Sequence, residues 1–260
     1  MAVAAEHAES AEPVLRLRGV GRRFGGVHAV REVDLDIRPG ERRGILGPNG
    51  AGKTTLFNVI SGEYLPTSGT VELFGQDVTY LSPPQRAKLG LARTFQTSRL
   101  FLGLSVEDNL YLAVLGVRRG HLRTVRLPAD AEMREQARAA ARRVGLDGKL
   151  GTLVGSLSHG EQRQLEVGMA LAAGPRLLML DEPASGLSRG ERVSLTELLL
   201  GLDPEITLIL IEHDMDVALR VAEWVTMMHD GNVVVEGTPA EIRANQLVHD
   251  LYLGSRYTEE

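Results

Sequence analysis

Three observations predict an α/β fold with a helical insertion. An apolar strand, a glycine-rich loop and a helical stretch follow one another at residues 44–60. Four apolar runs return between Leu177 and Val235, spaced by helical patterns, and between them strand signals vanish from Thr97 to about Gly155. At 260 residues the chain has room for one such unit, an inserted subdomain and a full core.

Taken in order, Met1 to Pro13 is rich in Ala and Glu and lacks a basic start followed by an apolar stretch. It reads as a frayed tail and not as a signal peptide. Val14-Leu15-Arg16-Leu17 and Val33-Asp34-Leu35-Asp36-Ile37 alternate with period two, which predicts two strands of the same core as the loop strand. Pro39-Gly40 then turns the chain into Gly44-Ile45-Leu46.

The loop that follows, Gly47-Pro48-Asn49-Gly50-Ala51-Gly52-Lys53-Thr54, with Thr55 after it, has the form G-x-x-x-x-G-K-T. Its glycines let backbone N–H groups crowd around phosphate oxygens, Lys53 reaches the terminal phosphates and the Thr54 hydroxyl is offered to Mg²⁺. A helix from Lys53 to Ile60, stopped by Gly62, aims its positive end at the same phosphates. A glycine turn that merely caps a helix would also fit the eight residues. The strand before and the helix after favour a nucleotide.

Downstream, Ala131 to Val144 predicts an Arg- and Ala-rich helix within the insertion. Ser158 and Glu161 form a capping box opening a helix whose apolar face includes Leu165 and Leu171, giving a second helix N-terminus beside a glycine. Strands are expected at Leu177 to Leu180, Thr207 to Ile211, Val225 to Met228 and Val233 to Val235, with helices at Glu191 to Leu200 and Met215 to Val221. Thr238 to Glu241 is another capping box with Pro239 at the first helical position, so short helices should close the chain.

Composition narrows the partners. Twenty-nine basic against thirty-four acidic side chains give a net charge of −5, so no nucleic-acid partner is expected. The absence of cysteine excludes a disulfide framework or a thiolate metal site and fits a reducing compartment. No run of 18 apolar residues occurs, so a membrane role requires membrane partners.

The phosphate loop, then Leu157-Ser158-His159-Gly160-Glu161-Gln162, then Asp181-Glu182 ending an apolar run, is an order that resembles the ATP-binding-cassette (ABC) ATPases. The resemblance covers roughly Val14 to Gly254. It implies a P-loop NTPase (RecA-like) core with an N-terminal antiparallel β subdomain and an inserted α-helical subdomain at about 97–160. The ATPase domain would be 14–238, after a tail at 1–13 and before a helical extension and tail at 239–260.

The same resemblance implies roles. Asp181 and the lid glutamine Gln96 would join Thr54 around Mg²⁺, Glu182 would polarise the attacking water, and the switch histidine His213 would contact the γ-phosphate of ATP. Phe24 would stack on adenine; a core phenylalanine is the local alternative. Ser158, Gly160 and Glu161 would meet the γ-phosphate held by a second ABC ATPase subunit, closing a head-to-tail dimer on two ATP.

Two departures stand out: His159 and Glu161 replace the commonest glycine and glutamine of the signature, and Ser188 stands where aspartate is usual. They bear on communication between subunits and on hydrolysis rate more than on ATP binding.

Finer resemblance points to the importers of branched-chain amino acids. It rests on Arg93-Thr94-Phe95-Gln96, Arg99-Leu100-Phe101, Ser105 to Leu110, Ile211-Glu212-His213-Asp214-Met215 and Glu236 to Ile242 with Tyr252-Leu253-Gly254. It implies an ATPase subunit at the cytoplasmic face of the plasma membrane, held by two transmembrane permease subunits and served indirectly by an extracytoplasmic solute-binding protein. Residues Thr97 to Asn109 would receive the permease. A urea or amide importer, a lipopolysaccharide exporter, a soluble cassette ATPase and a non-hydrolytic regulatory module are the alternatives at this point.

Overall fold

The computed structural model describes residues 12–94, 100–117 and 128–256. In chain order the first half comprises β1 (Leu15–Phe24), β2 (Val27–Ile37), β3 (Arg42–Leu46), α1 (Lys53–Ser61), β4 (Ser68–Leu73), β5 (Gln76–Asp77), α2 (Pro83–Leu89), β6 (Leu91–Arg93) and α3 (Val106–Val117). The second half adds α4 (Pro128–Arg143), α5 (His159–Ala172), β7 (Leu177–Asp181), α6 (Arg189–Leu200), β8 (Thr207–Ile211), α7 (Met215–Val221), β9 (Trp224–His229), β10 (Asn232–Gly237), α8 (Pro239–Ala244) and α9 (Gln246–Arg256).

The strands divide into a four-stranded antiparallel sheet, β2-β1-β4-β5, and a six-stranded sheet, β10-β9-β3-β8-β7-β6. The larger sheet is parallel from β9 through β6, with β10 antiparallel at its edge. Leu15 pairs with Ile37 and Leu17 with Leu35 in the antiparallel sheet, which is the N-terminal β subdomain that the resemblance implies.

The physical reason lies in the burial of each face. β1 and β2 hide Leu15, Leu17, Leu35 and Ile37 and turn Arg16, Arg18 and Asp36 to the outside, where Arg18 pairs with Asp36 at 2.7 Å. A sheet wet on one side alternates in this way. β7 and β8 are buried along their whole length, as parallel strands covered on both faces must be.

Alternation along β7 and β8 therefore divides two cores instead of core and solvent. Met179, Ile209 and Ile211 face α1 and the antiparallel sheet, together with Leu56, Phe57 and Ile60. Leu178, Leu180, Leu208 and Leu210 face the opposite way, onto a layer that includes α5, α6 and the inserted helices α3 and α4. Each fully buried side chain of α1 contributes about 1.5–3 kcal/mol, so the helix that carries Lys53 is held chiefly by its packing.

α1 runs from Lys53 to Ser61 with Gly62 in the left-handed region as its C-cap, and α5 and α8 start on the capping boxes of Ser158 and Thr238. The sequence reading left β4, β5, α2 and β6 unassigned. α2 carries its own capping box, Ser82 with Gln85, and two prolines in its first turn. Arg86 of α2 is fully buried and donates to the carbonyls of Val59, Ile60, Leu81 and Thr79, which satisfies the C-terminal end of α1. Desolvation pushes its pKa down to about 10, still well charged at neutral pH.

Candidate active site

The loop from β3 to α1 is pressed against its neighbours. A Cβ at Gly47 would fall 2.2 Å from the Met228 carbonyl oxygen, and one at Gly52 2.2 Å from that of Ala29; both residues have positive φ. Only glycine fits either position. Ala51 accepts from the Gly231 N–H at 3.0 Å and Gly231 accepts from Arg31 at 2.8 Å, so a backbone chain ties the loop to both sheets. Pro48 is half-buried between Gly47 and the exposed Asn49 and Gly50.

Lys53 is buried and donates from Nζ to the carbonyls of Gly47 at 2.6 Å and Pro48 at 2.9 Å. Burial lowers its pKa, and Glu182 and Asp181 act against that shift, which places both carboxylates within its field. The ammonium is thus held at the loop that would receive phosphates. Thr54 is exposed and Thr55 half-buried at the start of α1.

Asp181 ends β7 almost fully buried, and desolvation raises its pKa against the attraction of Arg93. Arg93 Nη2 reaches Asp181 Oδ2 at 3.0 Å, and its Nη1 binds Asn58 Oδ1 at 2.6 Å and Ser61 Oγ at 2.8 Å. One guanidinium therefore joins β6, β7 and α1. Asp181 Oδ1, also buried, has no hydrogen-bond partner among the described residues. An unsatisfied carboxylate oxygen beside a hydroxyl-bearing phosphate loop suits a hard cation such as Mg²⁺.

Glu182 leaves β7 with φ +49°, a conformation that costs a non-glycine residue about 1 kcal/mol or more. Its N–H donates to the Ile211 carbonyl at 2.9 Å, and its Oε1 lies 2.5 Å from Nε2 of His213. The turn aims a nearly buried carboxylate at an exposed imidazole. Next to it, Glu212 is 2 % exposed, accepts from the Ala184 N–H at 2.7 Å and the His213 N–H at 3.2 Å, and is pushed by burial up to about 7.

Phe24 is 41 % exposed, so it is no core residue. It packs edge-on against Tyr64 with centroids 5.3 Å apart, and the Arg22 guanidinium sits 4.6 Å from its ring centre. An aromatic ring fixed in this way at the surface is suited to stacking on a base. Gln96 lies outside the described residues.

The signature residues form a second cluster. Ser158 Oγ accepts from Glu161 N–H at 3.2 Å, and Glu161 returns a bond to Ser158 N–H at 3.0 Å and pairs with Lys149, which holds its carboxyl below the usual range. Gly160 N–H donates to Glu191 Oε1 at 2.9 Å, and Glu191 also caps α6 through Ser188. The serine at 188 therefore serves as an N-cap here.

The family model described as ABC transporter matches residues 30–185, more than half of the chain. The chain belongs to the ABC transporter family. The cassette is 38 % identical over 251 residues to LivG of Escherichia coli K12, a high-affinity branched-chain amino acid transport ATP-binding protein, covering 94 % of this chain and 98 % of LivG. It is 37 % identical to BraF of Pseudomonas aeruginosa, described in the same words, with 93 % and 98 % covered. Among solved structures, the ADP conformation of MJ1267, an ATP-binding cassette of an ABC transporter, superposes with a TM-score of 0.82 at 27 % identity, covering 94 % of this chain and all of that one.

The cassette is an ATPase of this family and binds nucleotide. No helix among the described residues is long and apolar enough to cross a membrane. Sequence reasoning missed Arg93, Glu191 and Glu212, whose partners lie 28 to 88 residues away along the chain. Arg93 precedes the Thr94-Phe95-Gln96 run, yet nothing local announces that it binds the carboxylate ending β7.

Proposed function

We propose that this ABC ATPase drives uptake of branched-chain amino acids from the cytoplasmic face of the plasma membrane. The observation that carries the solute class is the end-to-end similarity to LivG and BraF, both named for that transport. It would work with a second ATPase subunit, two permease subunits and, through them, an extracytoplasmic solute-binding protein.

In this reading, ATP lies with its phosphates on the loop from Gly47 to Thr55 and its adenine on Phe24. Lys53 leaves its carbonyl partners for the terminal phosphates. The residues present fit Mg²⁺: Asp181, through its unsatisfied Oδ1, Thr54 and Gln96 would hold it, and when bound it neutralises charge on the transferring phosphoryl group. Glu182 polarises the attacking water, and His213 holds Glu182 in position and contacts the γ-phosphate. Ser158, Gly160 and Glu161 would face the γ-phosphate bound by the second subunit, so closure of the dimer completes two sites.

The permease would dock beside the lid, on Thr97 to Asn109. Phe101, Leu102 and Leu104 are exposed there with Leu153, and backbone bonds from Val154 to Leu104 and from Gly155 to Leu102 hold the patch together. Residues 97–99 lie outside the described residues.

Uptake of labelled leucine and labelled urea in the source organism, with Glu182→Gln at the native locus, tests the proposal. Loss of leucine uptake with urea uptake retained is expected. Retained leucine uptake, or loss of urea uptake alone, would contradict it.

A further inference from the structure

We infer that Glu212 is a positioning residue for hydrolysis: its carboxylate clamps the segment after Glu182 to the segment carrying His213, and so holds the two side chains against each other. The inference rests on the hydrolytic reading of Glu182 and His213.

The geometry is a bridge between two strand ends. β7 and β8 lie side by side with Asp181 opposite Ile211, so the residues beyond them, Glu182 to Ala184 and Glu212 to Asp214, leave the sheet together. Among the described residues, one backbone bond, Glu182 N–H to the Ile211 carbonyl, joins the strands after that register. Glu212 supplies the rest. Its Oε1 accepts from Ala184 N–H at 2.7 Å and its Oε2 from His213 N–H at 3.2 Å.

A buried carboxylate with no cationic partner is costly, and hydrophobic strand ends would be cheaper to build. Here the side chain is 2 % exposed and its contacts are backbone N–H groups of the two segments bearing the reactive side chains. Glu182 sits in a left-handed conformation that the surroundings must enforce, and Ala184 is two residues on. Freeing Ala184 and His213 from a common acceptor releases both the strained turn and the imidazole. Small displacements of a group that orients the attacking water are expensive in rate.

Glutamine preserves the shape of Glu212 but offers one acceptor oxygen and puts an NH₂ against a backbone donor, so it breaks one side of the clamp. The test compares purified wild type, Glu212→Gln, Glu212→Ala and Glu182→Gln at pH 8, measuring kcat, the MgATP dissociation constant and the melting temperature. Glu212→Gln is expected to melt as a folded protein, bind MgATP within about twofold of wild type and lose about tenfold or more in kcat. A kcat within about twofold of wild type while Glu182→Gln is inactive would overturn the clamp. Equal losses of kcat and MgATP affinity would also overturn it, because they mark a general structural role. Wild-type turnover by Glu182→Gln would refute the underlying hydrolytic reading, and the clamp with it.

Discussion

Oε1 of Glu182 lies 2.5 Å from Nε2 of His213, across the gap where β7 and β8 end. The contact needs a left-handed residue at the end of a fully buried strand on one side and an exposed histidine two residues past the other strand's end. The contact gives the cassette a carboxylate whose direction is set by an imidazole from the neighbouring strand end.

Arg93 is the cation on which Asp181 depends. Replacing it with methionine leaves a buried carboxylate unpaired and removes bonds to Asn58 and Ser61 of α1. Loss of about 3–5 kcal/mol of folding stability is expected, read by urea unfolding. Lysine at this position should recover only part, since it cannot fork to three partners.

Glu191 holds the Gly160 N–H that a phosphate from the second subunit would use. On the proposed function, closure of the dimer would exchange a carboxylate for a phosphate at the start of α5. Glu191→Gln should dimerise at lower MgATP than wild type when each also carries Glu182→Gln, as followed by sedimentation.

Stability should fall as pH rises from 5 to 8. Glu212 titrates at about 7 in the folded chain against an ordinary 4.5, so its contribution is complete below pH 4.5 and lost by the time pH passes 7. The shift corresponds to roughly 3 kcal/mol. Asp181, raised as well, acts in the same direction, whereas Glu161, Glu191 and Glu241 are lowered and lose their contributions only in acid. Urea unfolding at pH 5 and pH 8 should show this decline in wild type and a flatter profile in Glu212→Gln.

Leu104 lies in the exposed apolar patch with Phe101, Leu102 and Leu153. Leu104→Glu should abolish transport in the assembled system while leaving basal ATPase activity of the isolated subunit within about twofold. Transport at the normal rate would argue against this patch as the permease contact.

How far the sequence could be read follows from the range of each interaction. α1, α5 and α8 were legible because their caps are local: Gly62, Ser158 with Glu161, and Thr238 with Glu241 act within one turn. α2 had the same signal in Ser82 and Gln85, and two adjacent prolines obscured it. The sheet to which β1 and β2 belong was written in their wet outer face, beside the continuously apolar β7 and β8. β4 was harder, since its first half is exposed and its partner β1 is some fifty residues earlier. At the site, the phosphate-loop pattern pointed to Lys53, and the family resemblance pointed to Asp181, Glu182 and His213. The side chains that hold them, Arg93 and Glu212, act through long-range contacts that no local pattern records.

The most direct measurement is steady-state MgATP turnover of wild type and Glu182→Gln, with the MgATP dissociation constant of each. Turnover should fall by about 100-fold or more while affinity stays within about threefold, because the carboxylate acts on water and not on nucleotide binding. Turnover of Glu182→Gln at the wild-type rate would contradict the assignment of Glu182 and His213 as the hydrolytic pair.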